Sequence, residues 1–189
     1  MITTPRLVLR TWRESDLPAF AELNADPEVM RHFPSTLSAV ESDALARRVM
    51  SALDVDGIGW FAVEVPGVAP FIGFVGMKTV PDAVAAIIAP GESPPLEVGW
   101  RLARGAWGQG FATEAARGVL AWAARTRGVE RAVSFTATTN VRSEAVMRRI
   151  GFERDLDGDF DHPSVPEGSP IRRHVLYRGD LRRLFGAGH

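Results

Sequence analysis

The stretch Leu96-Glu97-Val98-Gly99-Trp100-Arg101-Leu102, followed by Arg104-Gly105-Ala106-Trp107-Gly108-Gln109-Gly110-Phe111-Ala112-Thr113-Glu114, decides how this chain is read. It runs strand, tight turn, helix. Leu96, Val98, Trp100 and Leu102 fall on one face of the strand, and Glu97 and Gly99 on the other. Gly108 and Gly110 allow positive φ and keep side chains off the turn. The first amides of a helix opening near Gly110 then lack intrahelical partners, and the helix dipole adds partial positive charge. Together they make an anion site suited to a pyrophosphate.

Two other phosphate-binding patterns fit less well. A Walker loop needs Lys-Ser/Thr after its last glycine, and Phe111 follows Gly110. A dinucleotide fingerprint needs a third Gly or Ala where Thr113 stands, and an acid at the end of the next strand, whereas Glu130 precedes that strand. A glycine pair alone also serves any tight turn, so the rest of the chain has to decide.

Working outward, Leu7–Trp12 reads as a first strand. Ser15-Asp16 supplies N-cap chemistry for a helix over about 16–24, and Asp26-Pro27-Glu28 opens a short helical piece. Ser38 caps a helix to about Leu53, with Val40, Leu45, Val49 and Leu53 toward one side. Gly59–Val65 and Phe71–Val80 form an antiparallel hairpin. Residues 81–95 are proline-rich and read as a loop with a short element at Val84–Ile88. Strand 96–102 leads to a helix over Gly110–Thr126, with Phe111, Ala115, Val119 and Trp122 on one stripe. A strand at Ala132–Thr138, a helix at Ser143–Ile150 ended by Gly151, and strands at Phe152–Leu156 and Arg173–Arg178 complete the order. The pattern is mixed α/β, mainly antiparallel, with one strand–helix–strand crossover.

The 189 residues suit one domain spanning the chain, and 46% hydrophobic with 24% charged residues is ordinary for a globular protein. A net charge of -1 gives no basic surface for nucleic acid. The absence of cysteine excludes thiolate nucleophiles, disulfides and Cys-ligated zinc. No apolar run approaches the roughly 20 residues that span a bilayer, and the N-terminus lacks a signal-peptide core, so no membrane partner and a cytoplasmic location are expected. His32, His162, His174 and His189 show no metal-ligand spacing, so no metal is expected either.

The glycine turn together with Thr138-Thr139-Asn140-Val141-Arg142-Ser143-Glu144-Ala145-Val146-Met147-Arg148-Arg149-Ile150-Gly151-Phe152 resembles the GNAT superfamily of N-acetyltransferases, RimJ/RimL-type branch. Leu7-Val8-Leu9-Arg10 with Asp16, and Glu97-Val98-Gly99-Trp100, match in order, so the resemblance covers about residues 6–178. It implies a sheet of about seven strands, flanked by helices and splayed into a V, with acetyl-CoA as cosubstrate. The pyrophosphate would rest on amides of the Gly108–Thr113 turn: Gln109, Gly110, Phe111, Ala112 and Thr113. The pantetheine arm would pair with Trp100, Arg101 and Leu102, and Asn140 would hold it from the far side. Trp107 stands where the superfamily usually has Gln or Arg, as is common in this branch, which leaves Arg104 as a candidate phosphate partner. Dimers are frequent in the branch, so a homodimer is among its implications.

Transfer to an amine needs a base, because an alkylammonium has a pKa of about 10.4. Glu97 is the first candidate: on a central strand it would be partly buried, which raises a carboxylate's pKa. Asp161 and His162, in the acidic stretch Asp155–Pro163 that otherwise reads as a solvated turn, are alternatives. Ser143 is the candidate for stabilising the CoA thiolate, and helix capping is its competing role. Superfamily members often use a tyrosine there, and Tyr177 is the only one present. The acceptor, a protein N-terminus or a small amine, stays open. Its determinants are expected in residues 25–57, 81–95 and 155–170. An acyl-CoA-binding module without turnover is the alternative reading, and a structural dimer partner a third.

Overall fold

The computed structural model describes residues 1–56 and 58–186, without the side chains of 52–56. The place of Leu53 on its helix stripe, and His189, therefore lie outside the described residues. Two compact units emerge, each from two chain segments: Met1–Met77 with Gly99–Val119, and Lys78–Val98 with Leu120–His189.

In the first unit, Ile2–Thr3 (β1) and Val8–Arg10 (β2) pair antiparallel, and β2 pairs antiparallel with Trp60–Glu64 (β3). β3 forms the expected hairpin with Gly73–Thr79 (β4), Phe61 opposite Val75. In the second unit, the start of Leu96–Leu102 (β5) runs parallel to Arg131–Ala137 (β6), Glu97 opposite Val133. The helix Phe111–Arg127 (α4) makes that crossover. β6 pairs antiparallel with Arg173–Asp180 (β8), and β8 with Glu153–Asp161 (β7). The strand order is β1-β2-β3-β4-β5-β6-β8-β7. This is the mixed, mainly antiparallel sheet the sequence predicts, with one strand more than the seven implied. The extra strand, β1, is two residues long, too short to show alternation.

Helices Leu17–Ala25 (α1) and Ala39–Asp56 (α2) flank the first unit's strands. Its core gathers Trp12, Phe20, Leu23, Val29, Ala46, Val49, Ala62 and Phe74. Trp12 meets Phe20 edge-on at 4.9 Å, and its indole donates to the Trp60 carbonyl at 2.8 Å. Burying a side chain such as Phe20 contributes about 1.5–3 kcal/mol. The second unit packs Asp82–Ile88 (α3), longer than the short element read from sequence, against Val133, Phe160 and Leu176. Val141–Arg149 (α5) and Leu181–Phe185 (α6) complete it.

Four local expectations are corrected. Asp16 does not cap α1 with its side chain; it is buried and takes both terminal nitrogens of Arg10 at 2.8 Å. The carboxylate also accepts from the Arg13 amide at 2.8 Å, so it holds the turn before α1 and the buried charge of Arg10 together instead of the first amides of α1. Asp26-Pro27-Glu28 forms a turn closed by Asp26 Oδ1 on the Glu28 amide, not a helix. Val40 is exposed on α2, whose buried positions among the described side chains are Ser42, Ala46 and Val49. The capping box of α2 does form, with Glu41 accepting from the Ser38 amide at 2.8 Å and Ser38 Oγ accepting from the Glu41 amide. Asp155–Asp161 is no solvated turn but lies in β7, three of its four acids paired with arginines: Asp155 with Arg178, Asp159 with Arg154, Asp161 with Arg172 and Arg173. The alternating acids read as a turn because the partners of Asp155 and Asp161 lie on β8 or lead into it, separated from them along the chain.

Candidate active site

The first unit carries the glycine turn. Gly108 and Gly110 have φ of 74° and 80°, the left-handed region that favours glycine. Gly108, Gln109 and Gly110 are exposed, and a Cβ on Gly108 would meet nothing within 4 Å. The first inward donation of α4 is from the Glu114 amide to the Gly110 carbonyl, at 3.0 Å. The amides of Phe111, Ala112 and Thr113 therefore have no partner within the helix. An open, side-chain-free set of amides at a helix N-terminus is what an anion requires.

The surrounding residues explain how the turn keeps its shape. Trp107 does not face a ligand: its indole donates to the Leu102 carbonyl at 2.8 Å, and its ring packs on the first unit's core. Gln109 folds its side chain back onto the Gly105 carbonyl at 2.9 Å. Arg6, given no separate role by the sequence, donates to the Gln109 carbonyl at 3.0 Å and to Glu114 at 2.7 Å, with its guanidinium 4.7 Å from the Phe111 ring centre. Thr4 also donates to Glu114, at 2.7 Å. The candidate phosphate partner Arg104 instead faces Asp26 at 3.7 Å. On β5, Trp100 and Arg101 are half-buried and Leu102 is buried. The Leu102 carbonyl, a candidate for the pantetheine arm, already accepts from Trp107.

The second unit carries the titratable groups. Glu97 sits on β5 with its side chain only 12% exposed. Burial pushes its carboxyl above the usual range, and the nearby Lys78 ammonium opposes the shift without cancelling it. Lys78 Nζ lies 3.4 Å from the buried Glu97 Oε2, an ion pair too loosely aligned for a well-formed hydrogen bond but near enough to favour the charged carboxylate. Lys78 is the only lysine of the chain, but a partner 19 positions away has no sequence signal.

His162 and His174 lie ring to ring, 4.9 Å apart, against Phe135 and Phe160. Burial, then His174 and Lys78, pushes the His162 imidazole down to about 4, and burial lowers His174 as well. Neutral at pH 7, His162 is a far weaker proton acceptor than an imidazole at its ordinary value. Asp161, the other alternative, is engaged by Arg172 at 3.6 Å and Arg173 at 3.4 Å.

Asn140 is the N-cap of α5. Its Oδ1 accepts from the Ser143 amide at 3.2 Å, and its Nδ2 donates to Thr136 Oγ1 at 3.0 Å. An amide side chain has two donors and two acceptor sites, so one of each remains. Capping, the competing role for Ser143, thus belongs to Asn140, and the half-buried Ser143 hydroxyl makes no hydrogen bond among the described residues. Tyr177 is buried on β8, and its hydroxyl accepts from Arg148 at 3.1 Å. Among the described residues no group of three or more His, Asp or Glu could hold a metal. No helix among them is long and apolar enough to cross a membrane.

Comparison with known proteins places the chain in a family and a fold. The model of the acetyltransferase (GNAT) domain matches residues 6–153, a range that includes Arg6, Glu97, the glycine turn, Asn140 and Ser143. The FsC-acetyl coenzyme A-N(2)-transacetylase of Aspergillus fumigatus is 30% identical over 139 residues, 69% of this chain and 55% of that protein. The chain thus spans about half the length of that relative. The uncharacterized N-acetyltransferase YnaD of Bacillus subtilis is 25% identical over 174 residues, 89% of each chain. Among solved structures, an acetyl transferase of Salmonella typhimurium, described as modifying the N-terminal serine of ribosomal protein L7/L12, superposes with a TM-score of 0.74. It shares 17% identity, with 94% of this chain and 96% of that one covered, a likeness of fold. With the family model matched over most of its length and the fold shared, the chain belongs to the GNAT family of acetyltransferase domains.

Proposed function

We propose that the protein moves an acetyl group directly from acetyl-CoA to an amine, with Glu97 as general base. The observation that carries this reading is the buried Glu97 carboxylate: burial raises its pKa even though the Lys78 ammonium is paired with one of its oxygens at 3.4 Å. A carboxylate so placed accepts a proton more readily than a solvated one. The open amides of Gln109 to Thr113 support the assignment of the CoA pyrophosphate to the first unit. The Aspergillus fumigatus relative, an acetyl coenzyme A transacetylase, points to the same donor.

In this mechanism Glu97 takes a proton from the acceptor's ammonium, directly or through one water. The freed nitrogen attacks the thioester carbonyl, and as the tetrahedral species collapses its C–S bond breaks and the second nitrogen proton passes to the departing CoA sulfur, giving the amide and CoA thiol. Ser143, its hydroxyl uncommitted, donates to that sulfur. No covalent enzyme intermediate is needed once both substrates are held together. Trp100, Arg101 and Leu102 are the assigned backbone partners of the pantetheine arm, with Asn140 offering its spare amide donor. The acceptor is a small-molecule amine or a protein N-terminus, the latter being the kind of group that the Salmonella typhimurium neighbour is described as modifying.

The test is release of CoA thiol with acetyl-CoA and a panel of amines. Turnover that falls at least about 100-fold in Glu97→Gln while CoA affinity stays within a few-fold matches the loss of a general base. Full-rate turnover in that variant removes Glu97 from the mechanism. Tight CoA binding with no turnover across the panel would indicate a binding module instead.

A further inference from the structure

The first unit contains a cavity of about 410 Å³ that the acetyl-CoA assignments share only through Arg101, whose backbone they use and whose side chain they leave out. It lies between the segment after α1 and the side of α2 that carries Glu41, Leu45 and Arg48, with Met30, Phe33 and Arg101 also lining it. That volume is in the range of small-molecule sites. Its walls are largely apolar, and Phe33 stays 38% exposed, a large ring left open to solvent.

Arg101 is the unusual feature. Its guanidinium lies 4.0 Å from the Phe33 ring centre and 5.4 Å from that of Phe74. One terminal nitrogen, Nη1, donates to Asn24 Oδ1 at 2.5 Å, and the Asn24 amide in turn donates to Ser42 Oγ at 2.9 Å, with both residues fully buried. Nε is buried without any hydrogen bond. No carboxylate pairs with Arg101 among the described residues. This contrasts with Arg10 in the same unit, which takes Asp16 and Glu64. Burial lowers the Arg101 pKa only to about 10, so the side chain keeps its charge at neutral pH. Glu41, the one acid on the cavity wall, is occupied in capping α2 through Ser38. A desolvated cation without a counter-charge is costly, and the cost falls when a ligand supplies the missing anion. The guanidinium is planar, held by a neutral amide and flanked by two rings, an arrangement that suits a planar anion beside an apolar body.

We infer that this cavity receives the amine acceptor, and that the acceptor carries a carboxylate recognised by Arg101, with its apolar portion against Phe33, Met30 and Leu45. The substrate class is then an amino acid or short peptide with a free carboxyl group, and Arg48 adds a second positive charge at the wall. The inference rests on the acetyltransfer reading for the amine, while the carboxylate site stands on the cavity itself.

Binding of N-acetyl-leucine and N-acetyl-phenylalanine to the full chain, each against its C-terminal amide, is measured by calorimetry. The same measurement is made on Arg101→Met and Arg101→Lys. In the native protein each carboxylate should bind at least tenfold more tightly than its amide. Arg101→Met should abolish that preference and Arg101→Lys retain part of it. In turnover, the native protein should show a KM for leucine at least tenfold below that for leucinamide, with a smaller difference in kcat. Equal binding of acid and amide, no binding of either, or a preference that survives Arg101→Met overturns the inference. If Arg101→Met fails to fold, the native ligand pairs and Arg101→Lys still decide. Arg101-dependent carboxylate binding without transfer to any amine would sink the proposed reaction and leave the carboxylate site standing. Transfer that ignores the carboxylate would do the reverse.

Discussion

At the scale of single residues, Glu97 makes the sharpest claims. Only its deprotonated form accepts a proton, and burial raises its pKa above the usual carboxylate value of 4.5. The acid limb of kcat/KM should therefore lie above that value and disappear in Glu97→Gln. Lys78 holds the shift in check, so Lys78→Met should move the limb to higher pH, which a pH–rate profile will show directly. A limb that stays put in Lys78→Met would mean that another group titrates. Gly110 offers a second test. At a φ of 80° any side chain is strained by about 1 kcal/mol. The space beyond it holds only the Arg6 guanidinium, 3.5 Å from the position of an added Cβ. Gly110→Trp should thus lose CoA binding in calorimetry with only a modest loss of stability. Glu97 and Gly110 were legible in the sequence because a glutamate in an apolar strand and paired glycines before a helix each stand out locally. Lys78 and the bare charge of Arg101 were not, since each depends on what lies far away along the chain.

At the scale of elements, α5 depends on its cap. Asn140→Ala removes the bond to the Ser143 amide and the donor to Thr136, and should cost about 1 kcal/mol. For a chain of this size that lowers Tm by roughly 2–4 °C, measurable by calorimetry. Ser143→Ala should leave Tm within about a degree, because Ser143 is not the cap. The histidine pair linking β7 and β8 predicts a pH effect. His162 has a folded pKa of about 4 against an ordinary 6.5, so between those values the unfolded chain binds more protons. Its contribution is complete above pH 6.5 and is lost as pH falls toward 4. Glu97, with a raised folded pKa, acts in the opposite sense, so the informative quantity is the difference between native protein and His162→Gln. That difference should shrink with falling pH in denaturant titrations. The element order was readable from periodicity, caps and glycine stops, including the β3–β4 hairpin and the β5–α4–β6 crossover. β7 was read short, because an acid-rich run shows strand character only once its arginine partners are in place.

At the scale of the whole molecule, the two units draw on interleaved chain segments, so a ligand that binds the glycine turn should register in global unfolding. A ligand at 100 times its Kd adds about 2.7 kcal/mol. Saturating CoA should therefore raise Tm by roughly 5–10 °C in the native protein and by little in Gly110→Trp. An unchanged Tm in native protein would count against CoA as its ligand. The family, the mixed sheet and the position of the glycine turn were within reach of the sequence.

What the residue order alone determined was local: where strands and helices run, where glycine permits a left-handed turn, and which helix end leaves amides exposed. These depend on neighbours within a few positions, through sterics, hydrogen bonding and periodicity. Tertiary structure alone decided the electrostatics: that Glu97 is desolvated beside Lys78, that Asp16 neutralises Arg10, that most of the acids of β7 are paired, and that the half-buried Arg101 lines a cavity with no counter-charge among the described residues. Charge in a folded protein is set by burial and by partners across the chain, and linear spacing carries neither.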